Sequence, residues 1–212
     1  MKTNKLIKNF SYSVLANGTN TLISLILVLF VPKILGVKEY SYWQLYLFYA
    51  SYIGFFHFGW ADGVYLKFGG KKYEDLDKGY FHSQFWLLTI FEIVLCVIFG
   101  ILTVIFCEDE SRRIVLLAVA LCCVLQIPRT FLQYLLQTTN RIVDYAKNYL
   151  LEKIVYAILV VIALFLGVRS FEILVCADLF SRFLTLVLLS KECKNIILGK
   201  VIDWTGGIRE AW

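Results

Sequence analysis

An all-α membrane protein with six transmembrane helices is the fold class this sequence predicts, and three features predict it. The chain of 212 residues is 59% hydrophobic and 17% charged, whereas a soluble domain runs nearer ~45–50% apolar and ~25% charged. Its apolar residues gather into stretches of about the 20 residues that a helix needs to cross a bilayer. Its charges gather between those stretches, most clearly in the run KKYEDLDK that begins at Lys71. A soluble fold of this size has too little interior for so much apolar surface.

The first span is predicted at residues 10–31, behind Lys2, Lys5 and Lys8 and ended by Pro32, which cannot donate a helical hydrogen bond. A basic start before an apolar run suits a secretion signal. This run is too long for a signal core, however, and no small-residue cleavage site follows it. The second span is predicted at residues 40–60, where the only charge is a possible proton on His57. That stretch is crowded with aromatic rings, and Trp and Tyr favour the lipid–water boundary. It runs into a glycine-broken, charged turn holding Gly59, Asp62, Gly63, Lys67, Gly69 and Gly70.

The third span is predicted at residues 81–106. Glu108, Asp109, Glu110, Arg112 and Arg113 form the turn after it. Residues 114–138, 146–166 and 171–189 make the fourth, fifth and sixth spans. Links this short make neighbouring helices antiparallel. Residues 1–190 thus form one six-helix unit, and residues 191–212 read as a polar, mildly amphipathic cytoplasmic connector. With both termini inside, the inner segments hold thirteen Lys and Arg and the outer links five, the asymmetry expected of cytoplasmic ends.

Polar residues inside the spans carry the functional information. Ser13, Asn17, Asn20 and Ser24 in the first span, and Gln126, Arg129, Gln133, Gln137 and Asn140 in and just after the fourth, recur at steps of three and four. Each set therefore shares one helix face. Asp178 and Arg182 stand one turn apart in the sixth span and can pair. Glu92 lies inside the third span as a proton-titrating site or a partner for Arg129 or Lys153. An ionisable group facing lipid at mid-bilayer costs about 2.5–3.5 kcal/mol or more on insertion scales, so these faces should turn inward. They serve either as hydrogen-bonded glue between helices, at ~0.6 kcal/mol each, or as the lining of a passage for a polar or anionic solute.

Enzyme chemistry finds no constellation. Asp75 and Asp77 have the D-x-D spacing of metal-dependent glycosyltransferases but sit among lysines in a solvated link. Asp62-Gly63 lacks the downstream carboxylates of the phosphatidyltransferase motif. His57 and His82 have no paired-ligand context. Gly59 and Gly63 form a G-x-x-x-G at the end of a span, which suits close packing or a turn rather than a dimer face. Cys96, Cys107, Cys122, Cys123, Cys176 and Cys193 make no C-x-x-C pair, so they read as small apolar residues, with no metal and no cofactor expected. Lysines dispersed among aromatic spans make no nucleic-acid patch.

The segments NFSYSVLANG (residues 9–18), VPKILGVKEYSYWQLYLFY (31–49), GFFHFGWADGVYLKFGG (54–70) and LLQTTNRI (135–142) carry a resemblance. Together they resemble the polysaccharide-export branch of the multidrug/oligosaccharidyl-lipid/polysaccharide flippase superfamily, in particular bacterial O-antigen and capsule repeat-unit flippases. The resemblance implies one six-helix lobe of a two-lobe fold in the bacterial inner membrane. It implies translocation of undecaprenyl-diphosphate-linked oligosaccharide through a central cavity. Asn17, Asn20, Gln126, Arg129, Gln133 and Lys153 are then the candidates to face that substrate, and Glu92, Asp178 and Arg182 the candidates for ion coupling. Only one lobe's worth of helices is present, so the resemblance implies a truncated product needing a second lobe or a copy of itself. The alternatives are a non-transporting scaffold in a polysaccharide assembly complex and a small-solute or multidrug exporter lobe.

Overall fold

The computed structural model describes residues 2–198, with side chains from residue 10 onward. Every regular element among them is helical: α1 (Lys2–Ile34), α2 (Val37–Ser51), α3 (Trp60–Phe68), α4 (Lys78–Phe106), α5 (Glu110–Thr138), α6 (Ile142–Phe165), α7 (Phe171–Glu192) and the short α8 (Lys194–Ile197). Five of these, α1, α4, α5, α6 and α7, are long and apolar enough to cross a membrane. The predicted connector lies outside the described residues from position 199 on.

Two of the long helices, α4 and α5, begin where an aspartate satisfies free N–H groups of the first turn. Asp77 caps α4 by accepting from the backbone N–H of Gly79 and Tyr80 at 3.0 and 3.2 Å. Asp109 caps α5 by accepting from Arg112 N–H at 2.6 Å. That bond, first among several contacts, holds the Asp109 carboxyl below its usual range. The Arg113 guanidinium donates twice to the Cys107 carbonyl, closing the α4–α5 hairpin from the other side.

Two predicted boundaries are corrected. Pro32 does not end the first helix. It lies inside the last turn of α1, which continues to Ile34. A proline there forfeits one bond near the helix end, and the extended backbone at Gly36 is what separates α1 from α2. The predicted second span is not one helix. α2 stops at Ser51, a 3₁₀ turn covers Ile53–His57, and Phe58 and Gly59 both turn left-handed before α3 begins. Gly59, at φ +78°, takes up that reversal without the cost a Cβ would bring. Its N–H donates to His57 Nδ1 at 3.2 Å, and the His57 ring sits 3.9 Å from Asp62. The histidine thus braces the break.

α5 is the central helix, packed against α2, α3, α4, α6 and α7. The bulkiest buried side chains, among them Trp43, Tyr46, Phe81, Phe131 and Phe171, come from helices in contact with it or with α7. α1 rests mainly on α6. It leaves Phe10, Leu15, Leu22 and Leu29 exposed, as α4 leaves Val97, Ile101 and Ile105. Such a girdle suits acyl chains, which solvate apolar side chains as well as a protein core does.

Contacts at the two ends of the bundle sort the loops. At one end, Glu39 accepts from the first N–H of α7 at 3.0 Å and the Tyr42 hydroxyl donates to Asp109 at 3.2 Å. At the other, Gly70 N–H donates to the last carbonyl of α5, on Thr138, at 3.1 Å. There His82 Nδ1 lies 2.8 Å from the Ile196 carbonyl and Trp86 donates to the Ile197 carbonyl, docking α8 on α4.

Cys193, at the joint between α7 and α8, is buried, and burial pushes its thiol up to about 11. At pH 8 its thiolate is then on the order of 100-fold scarcer than that of an ordinary cysteine. Iodoacetamide should label Cys193 that much more slowly in the folded chain than in denaturant, followed by mass spectrometry of the peptide. Equal rates would mean that the joint is open.

Candidate functional site

Three consecutive helices and α2 meet over a buried ionic cluster. α5 supplies Gln126 and Arg129, α6 supplies Glu152 and Lys153, α7 supplies Asp178 and Arg182, and α2 supplies Tyr46. Asp178 Oδ2 accepts from the Tyr46 hydroxyl at 2.6 Å and from Arg182 Nε at 2.7 Å. Arg182 Nη1 also donates to Gln126 Oε1, and Arg129 Nη2 donates to that same oxygen at 2.9 Å. Arg129 Nη1 forms an ion pair with Glu152, whose other oxygen lies 3.1 Å from Lys153 Nζ. One chain of contacts therefore runs from Tyr46 to Lys153.

Charge in the cluster does not cancel. Arg129, Arg182 and Lys153 stand against Asp178 and Glu152, which leaves one positive charge over. The four innermost ionic residues are Arg129 at 2% exposure, Glu152 at 1%, Asp178 and Arg182. Only the side chain of Lys153 reaches out, at 21%. Arg129 Nε has no acceptor among the described residues. An ionised group in so dry a site is held by its partners, because taking it from water costs several kcal/mol per ion. The cluster thus carries one unbalanced positive charge, with Lys153 its most exposed charged member.

Of the predicted site residues, Gln126, Arg129, Lys153, Asp178 and Arg182 come together. Gln133 is buried two turns from the arginines' contacts, and its amide nitrogen has no partner among the described residues. Asn17 and Asn20 do not join the cluster. Asn17 is exposed, and its amide donates to the Ser13 carbonyl of its own helix at 2.9 Å. The buried face of α1 carries Ala16, Leu27 and Val31, with Asn20 half-buried on that same face, so only Asn17 and Ser24 of the polar row are exposed. Glu92 pairs with neither Arg129 nor Lys153 among the contacts described. It is wholly buried and accepts from the Cys123 thiol at 3.4 Å.

The sequence reading missed Glu152 and Tyr46. A signal for Glu152 was present: Asn148, Glu152 and Tyr156 recur at steps of four on α6, and all three are buried. Tyr46 was hidden among many tyrosines, and only the fold brings it to Asp178. Asp77 serves as the α4 cap, which accounts for one half of the D-x-D spacing. Comparison of the chain with family models, curated proteins and solved structures finds no match.

Proposed function

We propose that this chain is one lobe of a membrane flippase that moves a polyprenyl-diphosphate-linked oligosaccharide for polysaccharide export. The surplus positive charge of the Arg129–Glu152–Lys153–Asp178–Arg182 cluster, set within the crossing helices, carries this reading. Charge-assisted contacts to phosphate are strong, and a diphosphate is the anion common to every lipid-linked repeat unit whatever its sugar. The acidic cavity that would suit a cationic drug is missing from this cluster, which disfavours the multidrug alternative.

In this reading α2, the 3₁₀ turn and α3 together make a sixth, broken crossing. Val37–Ser51 begins beside the start of α7, and the chain leaves Phe68 beside the end of α5. Both termini then lie on the cytoplasmic side, where the lysines and arginines are most numerous. The polar row of Ser13, Asn17 and Ser24 on α1 faces the second lobe, or a second copy of this chain.

The test uses the full chain in lipid nanodiscs, titrated with a polyprenyl-diphosphate-linked disaccharide and with the uncharged polyprenol. The diphosphate should bind, and the alcohol should bind at least about tenfold more weakly. Lys153→Gln should weaken the diphosphate roughly 10- to 100-fold, since a hydrogen bond to a charged group is worth about 1.5–3 kcal/mol. Equal binding of both lipids, or a Lys153→Gln chain that binds as the parent does, would end the proposal.

A further inference from the structure

We infer that Glu92, Cys96 and Cys123 form a binding site for a thiophilic divalent cation of the zinc type, apart from the ionic cluster. One donor atom from each of the three lies within 4.8 Å of the others. Glu92 and Cys96 are one turn apart on α4, so they share a face, and Cys123 meets them from α5. Glu92 stands midway along α4 and is 0% exposed. One of its oxygens takes the Cys123 thiol, and the other, Oε1, has no hydrogen-bond partner among the described residues. A buried carboxylate oxygen left without a donor is costly, and a cation at this point would satisfy it.

The donor set selects the ion. Thiolates favour zinc and other soft metals, whereas calcium and magnesium require six or more oxygen ligands. Zinc takes sulfur at about 2.3 Å and carboxylate oxygen at about 2.0–2.2 Å, so donors on one ion stand roughly 3.3–3.8 Å apart. The three side chains need to draw together by about an ångström, within reach of side-chain rotation. The two thiols bind as thiolates and release their protons to water, and Glu92 binds as a carboxylate, so the filled site carries one net negative charge.

The fourth position faces a cavity of about 300 Å³ beside the break between α2 and α3. Apart from the three donors its lining is apolar, with Ile53, Phe56, Phe58 and Phe99 prominent. Three protein ligands and one open position is the arrangement of exchangeable rather than permanently closed zinc sites. An ion here joins α4 to α5 halfway along their length, a place where those two helices otherwise meet through apolar contacts.

The full chain, purified in detergent with reductant and stripped by a chelator, is titrated with Zn²⁺ against a chromophoric competitor. A parallel titration with Cd²⁺ follows thiolate-to-metal absorption in the ultraviolet. One equivalent of Zn²⁺ should bind with Kd at or below about 1 μM, and Cd²⁺ should raise the thiolate band. Glu92→Gln should weaken binding at least about tenfold, since loss of even an outer-shell partner costs 10- to 100-fold. Cys96→Ser and Cys123→Ser should each lose most of the band, while Cys176→Ser on the exposed face of α7 should keep both signals. Unchanged helix content and elution volume show that the variants fold. A parent chain that takes up no stoichiometric Zn²⁺, or binding that survives the Cys96→Ser/Cys123→Ser double change, overturns the site. Neither outcome touches the diphosphate titration, which probes different residues.

Discussion

Replacing Glu152 with glutamine is expected to cost the folded bundle roughly 3–5 kcal/mol, the scale on which a buried ion pair answers to loss of one partner. Among the described residues, Glu152 is the carboxylate in ion-pair contact with both Arg129 and Lys153. Without its charge, the Arg129 guanidinium stays in a dry site with Gln126 as its remaining acceptor among the described residues. Arg182 stands close by with the same sign and shares that acceptor. The double variant Arg129→Gln/Glu152→Gln should recover most of the loss, because it removes the orphaned charge as well as its partner. Reversible unfolding in mixed lipid–detergent micelles, run as a double-mutant cycle, measures both effects. A Glu152→Gln chain within about 1 kcal/mol of the parent would mean that water reaches the cluster freely.

Trp43→Ala should cost a similar ~3–5 kcal/mol, for a reason of packing rather than charge. Trp43 is the largest fully buried side chain among the described residues. It is seated where α2 meets α5 and α7, and its indole N–H donates to the Tyr156 hydroxyl at 3.2 Å. Truncation opens a cavity that neighbouring side chains fill only partly, and it strands a buried phenol. Trp43→Phe restores most of the volume but not the hydrogen bond, so about 1–3 kcal/mol should remain lost. Hydrogen exchange locates the damage: residues 37–68 should lose protection before the long helices do. A uniform loss along the chain would show that the broken stretch is not a separate cooperative unit.

Much of this architecture was legible beforehand because hydrophobic length is a blunt, reliable signal in lipid. The five long helices match predicted spans to within a few residues, apart from the start of α1. The broken stretch was misread for a physical reason. Its composition is that of a helix, but Phe58 and Gly59 take left-handed backbone there, burying Ile53 and His57 while Phe55, Phe56 and Phe58 stay exposed. Gly59 held the clue, and it was read as a turn at the end of a span rather than a break within one. At the candidate site, single-helix periodicity found Gln126, Arg129, Asp178 and Arg182. It could not find Tyr46 or unite Cys96 and Glu92 with Cys123, because those pairings arise only when different helices are laid side by side. Periodicity also put Asn17 and Ser24 on one face without saying which way it pointed.

The ionic cluster draws its charged members from three helices that follow one another directly in the chain, with short links between them. During synthesis, α5 emerges carrying a lone guanidinium, and its carboxylate partner arrives only with the next helix. Released singly into the bilayer, α5 would meet hydrocarbon with its guanidinium unpaired, at about 2.5–3.5 kcal/mol on insertion scales. Release of α5, α6 and α7 as a set would spare that cost, which the uncharged stretch of α1 at residues 10–31 does not carry.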